Sequence, residues 1–161
     1  ARSGDGILVA AGNPENINSY TDILNGGHIM VTGAGYNTVE AAKNLGIPDA
    51  NIMQVPGVTE MVAALKAGRA AAAVLTDFEA QHISAEHEEI DLADSSQMED
   101  WSKNYAAIGF RHEDQDFVEQ FNAALAAYIG SDEMMALVAE HDYTEVHLPG
   151  DTTTEWACAN R

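Results

Sequence analysis

Residues Ala70 to Leu75 form an uninterrupted run of small apolar side chains that stops at Thr76-Asp77. A strand with one wet face alternates apolar with polar residues. A continuous apolar run of strand length is what a strand covered on both faces requires, and such strands belong to parallel sheets packed between helices. The rest of the chain can be read outward from this strand. Ile7 to Ala11 is a short apolar strand stopped by Gly12-Asn13-Pro14, and Ser19 to Leu24 is a brief capped helix ending at Gly26-Gly27. His28 to Thr32 is a second strand leading into Gly33-Ala34-Gly35-Tyr36-Asn37, with a helix from Thr38 to Leu45 closed by Gly46. Asn51 to Val55 is a third strand. Val58, Met61, Val62 and Leu65 then recur at helical spacing before Gly68. A helix over Phe78 to Ile83 follows the Ala70 strand, and Tyr105 to Phe110 is a fifth strand. Two helices close the chain, one carrying Phe117, Phe121, Leu125 and Tyr128, the other Met134, Leu137 and Val138. The stretch from His82 to Asp100 is acidic and reads as surface loop. This alternation predicts an α/β fold with a parallel or mixed sheet, in which ligands gather outside the carboxyl ends of strands. Two strand tips stand out, Gly33 to Thr38 and Thr76-Asp77.

Composition narrows the partners. The 161 residues contain 46% hydrophobic and 20% charged side chains, enough for a core. Seven Lys and Arg stand against 26 Asp and Glu, a formal net charge of -19. Nucleic-acid binding needs a basic footprint and anionic lipid surfaces repel such a chain, so neither is expected as a partner. Insertion into a membrane is not expected either, because no apolar run approaches the ~20 residues a spanning helix needs. The acidity suits a salty or extracytoplasmic setting. The lone Cys158 makes no internal disulfide and no Cys-x-x-Cys metal or redox motif. The chain opens Ala1-Arg2-Ser3-Gly4, with neither an initiator Met nor a signal peptide, and is read as a processed protein or a fragment.

The chemistry-bearing motifs favour binding over catalysis. Gly33-x-Gly35 between a strand and a helix lets backbone amides approach an anion at a helix N-terminus. A dinucleotide fingerprint wants a third Gly where Thr38 stands and an acid where Val55-Pro56 stands, so no dinucleotide cofactor is expected. The turn is either a plain tight turn or a small-anion site made from the amides and hydroxyls of Tyr36, Asn37 and Thr38. Asp77 is the best-placed carboxylate, as a ligand contact, as the N-cap of the next helix, or as both. The six histidines show no metal-ligand spacing, and no metal is expected. A Gly-x-Ser-x-Gly elbow and a Walker lysine motif are both missing. Trp101 and Trp156 serve either ligand stacking or core and interface filling.

The order Gly12-Asn13-Pro14, Ser19-Tyr20-x-Asp22-Ile23, a Gly-rich turn before a helix, Gly46-Ile47-Pro48, Leu65-x-x-Gly68-Arg69 before an apolar strand, Ile108-Gly109-Phe110-Arg111 and Phe117-x-x-x-Phe121-Asn122-x-x-Leu125 resembles the second half of a family 3 extracellular solute-binding protein, the periplasmic receptor of an ABC importer for polar amino acids. The likeness runs over nearly the whole chain. The tail Thr152-Thr153-Thr154-Glu155-x-x-Cys158-Ala159 and the spacing from the Gly-rich turn to Gly46-Ile47-Pro48 are most similar to the ectoine and hydroxyectoine receptors of that family.

The resemblance implies a type II periplasmic-binding-protein-like lobe with a mixed five-stranded sheet flanked by helices. Residues 1–11 would cross into lobe 2, 12–110 would form that ligand-binding lobe, and 111–161 would pack toward a first lobe. It implies capture of a small zwitterion, ectoine, hydroxyectoine or a polar amino acid, for uptake through a membrane permease, by a periplasmic monomer that is not an enzyme. A dehydratase-like enzyme on the same fold and an interaction module without a small ligand are the alternatives. Carried over by position, Gly35, Tyr36, Asn37 and Thr38 would meet the ligand carboxylate, and Thr76 or Asp77 would face its cationic nitrogen. Two departures weigh against an α-amino acid. Tyr36-Asn37 stands where the family often has Thr or Ser, and Ala71 stands where it often has Asp two residues after the Gly-Arg pair. Thr76 holds the position matching the family's ligand-binding Asp, one residue before Asp77.

Overall fold

The computed structural model describes residues 1–141 and 143–159. They divide into two units, Gly4–Lys103 and Ala1–Ser3 with Asn104–Arg161.

The larger unit is organised by three central strands whose apolar runs are covered on both sides. β1 (Arg2–Ala10), β2 (Met30–Gly33), β3 (Ile52–Val55), β4 (Ala72–Thr76) and β5 (Ile90–Leu92) lie in the order β3-β2-β4-β1-β5. β2 runs parallel to β3 and β4, with Met30 opposite Ala72, and β1 runs antiparallel to β4 and β5, with Ile7 opposite Val74. Because successive side chains alternate faces, each run feeds two cores. Ile7, Val9, Met30, Ala72 and Val74 meet Tyr20 and Ile23 of α1 (Tyr20–Gly26) and Ala42 of α2 (Asn37–Leu45). Leu8, Val31, Ala73 and Leu75 meet Met61, Ala64 and Leu65 of α3 (Val58–Lys66) and Ala80 and Ile83 of α4 (Asp77–Glu86). The small side chains of β4 are thus what two helix layers require at the centre of the sheet.

Local signals set the helix ends. The Ser19 hydroxyl accepts the Asp22 amide at the start of α1, and Gly27 and Gly46 close α1 and α2 at φ 63° and 103°, a conformation that glycine adopts without strain.

The mixed five-stranded path agrees with the expectation, but two of its members differ. β1 begins at Arg2 rather than Ile7, and the fifth strand of the path is β5, inside the acidic stretch read as loop. β5 has three residues, and only Ile90 among them is buried. That is too short and too acidic to show a strand pattern. The strand expected over Tyr105 to Phe110 is confined to β6 (Lys103–Tyr105), which pairs with β1, and 106–110 has no regular structure. The helix expected over Phe78 to Ile83 starts one residue earlier and runs three residues longer.

The smaller unit carries α5 (Gln115–Tyr128), α6 (Asp132–Val138) and α7 (Thr154–Ala159). None of the described side chains of α5 is buried, and Phe117 is 57% exposed. Phe110, Phe117 and Phe121 instead group together, with ring centroids 5.2 to 6.2 Å apart. Trp156 meets Tyr105 edge-on at 6.3 Å, and Cys158 is exposed. Among the described residues no helix is long and apolar enough to cross a membrane.

Candidate ligand site

β2 and β4 are parallel neighbours, so their carboxyl ends, at Gly33 and Thr76, lie side by side at one end of the sheet. Strand spacing alone sets the two following turns about 5 Å apart at their roots.

The turn after β2 is shaped by a close approach. The Ala34 amide donates to the Val55 carbonyl at 2.8 Å, and the Tyr36 amide donates to the Gly33 carbonyl at 3.1 Å. Gly35 takes φ 82°. The Tyr36 ring lies over Gly33, where a Cβ would stand 2.6 Å from a ring carbon, so a side chain here would displace the ring. Tyr36 is the N-cap of α2 but gives it no side-chain cap. Among the described residues the amides of Asn37 and Thr38 make no hydrogen bond, which leaves two donors at a positive helix end. The Asn37 side chain is exposed beside them. The Thr38 side chain is buried, and its hydroxyl shares a hydrogen bond with that of Thr32 at 2.5 Å. Thr38 therefore offers the site its amide, while its hydroxyl is committed to β2.

The turn after β4 is acidic and internally bonded. Thr76, rather than Asp77, is the N-cap of α4. Its hydroxyl accepts the Glu79 amide at 3.3 Å and donates to Glu79 Oε2 at 2.8 Å. Asp77 is the first residue of α4, where its Oδ1 accepts the Phe78 amide at 2.9 Å and its Oδ2 accepts the Gly4 amide at 2.8 Å. Its charge also suits the helix N-terminus.

Sequence reasoning missed Asp5. It stands opposite Thr76 in the β1–β4 register, is 5% exposed, and accepts the Tyr20 hydroxyl at 2.8 Å. Burial pushes its carboxyl up to about 6, with the Asp77 charge adding to the rise and the Tyr20 bond opposing it. Tyr20 is raised in turn, by burial first and then by the charges of Asp5 and Glu99, so it remains a donor. Glu99 caps α1 from a distant loop, accepting the Tyr20 amide at 3.2 Å and the Thr21 amide at 2.7 Å. Trp101, 48% exposed, packs on the Tyr20 ring at a centroid distance of 5.1 Å. The pattern Gly4-Asp5-Gly6, an acid between glycines ahead of an apolar run, was the one available sequence signal.

A recess of about 520 Å³ lies at the opposite end of the sheet, lined by Asn13, Asn18, Asp91 and Asp94 among others. Its polar atoms are occupied by its own walls, with Asp91 on the Gly12 amide, Asn18 on the Asp94 amide and Asp94 on the Ser96 amide. Among the described residues no group of three or more His, Cys, Asp or Glu could hold a metal ion.

The tip thus pairs two contrasting halves, open amides after β2 and carboxylates after β4 and beside it on β1. Lys43 and Lys66, in the last turns of α2 and α3, and Arg69, just before β4, stand at the other end of the sheet. Such an arrangement is complementary to a small solute carrying both an anion and a cation.

No protein-family model matches the chain. It is 28% identical over 163 residues to a probable amino-acid ABC transporter periplasmic-binding protein of Sinorhizobium fredii, with 98% of this chain and 54% of that protein aligned. The chain therefore spans about half the length of the curated relative it matches. Among solved structures, EhuB in complex with hydroxyectoine superposes with a TM-score of 0.69 at 18% identity, covering 89% of this chain and 56% of that one. Holo ArgBP from T. maritima superposes at 0.59 with 23% identity, covering 89% and 59%. A substrate-binding protein of an amino acid ABC transporter gives 0.55 at 20% identity, covering 88% and 57%. The chain is similar in sequence to a probable amino-acid ABC transporter periplasmic-binding protein, and its fold is that of a type II periplasmic-binding protein domain.

Proposed function

We propose that this chain is the ligand-binding lobe of an ABC importer's solute-binding protein and holds a small zwitterion for uptake. The observation that carries the reading is the juxtaposition, on parallel neighbours β2 and β4, of the open amides of Asn37 and Thr38 with the carboxylate end at Thr76–Asp77. The solute's carboxylate would take the amides of the Gly35–Thr38 turn, with Asn37 adding a side-chain donor. Its cation would face Thr76 and Asp77. The relatives' names, which speak of amino acids and hydroxyectoine, support a polar amino acid or an ectoine as the solute. The role ends at binding, in the periplasm, with delivery to a membrane permease. Residues 1–11 would lead into the lobe, 12–110 would form it, and 111–161 would lie against a first lobe that covers the exposed phenylalanines.

Calorimetry with hydroxyectoine, L-arginine and a panel of polar amino acids tests the reading, run on this chain and on a version carrying the full length of the relatives. A trap with two walls strengthens its hydrogen bonds by enclosing them. Loss of one wall should weaken a micromolar site by about 4 kcal/mol, to roughly millimolar. Tight stoichiometric binding by this chain alone would overturn the half-site assignment, and absence of binding by the longer version would overturn the function.

A further inference from the structure

The tip holds one charged group that no solute could touch, and its placement bears on which solutes the tip prefers. Asp5 lies in β1 directly opposite Thr76, beneath the turn. α4 is pressed close to this part of β1. A Cβ on Gly6 would stand 2.6 Å from the Ala80 Cβ and 3.0 Å from the Asp77 Cα, so only bare backbone fits. The same closeness lets Asp77 accept the amide of Gly4, the residue before Asp5. Two carboxylates therefore flank one short stretch of backbone, one buried and one at the tip.

A buried carboxylate is ordinarily paired with a cation or surrounded by several donors. Asp5 has the neutral Tyr20 hydroxyl, and among the described residues no Lys, Arg or His forms an ion pair with it. Among the described residues the titratable groups that act on it are Tyr20 from α1 and Asp77 from α4, and Glu99 acts at one remove through Tyr20. Arg2 on β1 itself and Lys103 on β6, which also pairs with β1, are the charged residues of the adjoining strand segments, and neither forms an ion pair with Asp5. A cation seated at Thr76–Asp77 would supply positive charge.

We infer that Asp5 is a positioning residue for the solute's cationic end, a buried acid opposite Thr76 that favours cation-bearing solutes and links their binding to the release of a proton. This rests on the solute-binding reading above. The linkage follows from the raised carboxyl of Asp5. Near pH 5 it is largely protonated and the tip loses one charge. Above about 6 it is ionised, and a bound cation favours that state. By reciprocity, whatever ionises Asp5 strengthens the hold on the cation.

The test follows the nuclear magnetic resonance shifts of this chain with L-arginine and with hydroxyectoine as probes, from pH 5 to 7.5, in wild type and in Asp5→Asn. The variant keeps an oxygen acceptor for Tyr20 and removes the charge. For a probe that binds, affinity should rise roughly fivefold across this range in wild type and stay nearly level in Asp5→Asn. A purely structural role would weaken binding equally at every pH. Only the difference between the two proteins reports Asp5. The Asp5 carboxyl carbon, followed without probe, should titrate near pH 6. A midpoint near 4, or an equal slope in the variant, overturns the inference and leaves the solute-binding reading intact. Absence of binding by this chain at every pH overturns this inference, and absence of binding by the longer version as well overturns the solute-binding reading.

Discussion

The hydroxyl of Thr38 is bonded to that of Thr32 at 2.5 Å, beneath the turn whose amides face outward. One residue thus serves two purposes, with its side chain fastening α2 to β2 and its amide left open. Thr38→Val would leave the Thr32 hydroxyl buried without a partner and should destabilise the fold by roughly 1–3 kcal/mol, whereas the double variant Thr32→Val/Thr38→Val should recover part of that loss. Urea denaturation of the four proteins in the cycle checks it. Additive losses would show that the two hydroxyls do not depend on each other.

Asn37 has no such structural duty. Asn37→Ala should leave stability within about 0.5 kcal/mol of wild type. It should weaken the solute by about tenfold, the equivalent of one charge-assisted hydrogen bond of ~1.5 kcal/mol. Denaturation and calorimetry on the same preparation separate the two effects.

Stability should carry the signature of Asp5. Its carboxyl is raised from 3.8 to about 6, so between these values the folded state binds more protons than the unfolded chain, and stability falls as pH rises. The loss should reach about 3 kcal/mol above pH 6 and be absent below about 4. Asp5→Asn should remove this slope and be the more stable protein at pH 7.5. Subtracting its denaturation profile from that of wild type cancels the other acids. Tyr20→Phe should extend the decline to higher pH, because the lost bond was holding the carboxyl down.

Glu99 ties a distant loop to the start of α1. Glu99→Ala should cost about 1–2 kcal/mol, as expected for a lost helix cap. It should also free Trp101 from Tyr20. In a Trp156→Phe background, fluorescence should shift to the red while far-ultraviolet circular dichroism changes little, and an unshifted spectrum would show that Trp101 is held by other contacts.

The strand tips were legible because apolar runs end in glycine or in Thr-Asp, signals carried by neighbouring residues. β5 and the first half of β1 were not. Asp91 and Leu92 are exposed on an edge strand, and Gly4 and Gly6 break the apolar pattern, Gly6 where α4 needs bare backbone. The direction of the Thr38 hydroxyl depends on Thr32 across a turn. The importance of Asp5 depends on Tyr20, fifteen residues on, and on Asp77, brought across by the antiparallel pairing of β1 with β4. Interactions of that range leave no local pattern to read.

The antiparallel seat of β1 also sets a timetable. Ile7 finds its partner at Val74 and Leu8 at Ala73, so β1 has no partner on β4 until the ribosome has added most of the unit. At about 5–20 residues per second that interval lasts several seconds, during which Ile7, Leu8 and Val9 stay uncovered. The sheet of this unit is therefore complete only once β4 lies between β1 and β2, whatever was formed before it.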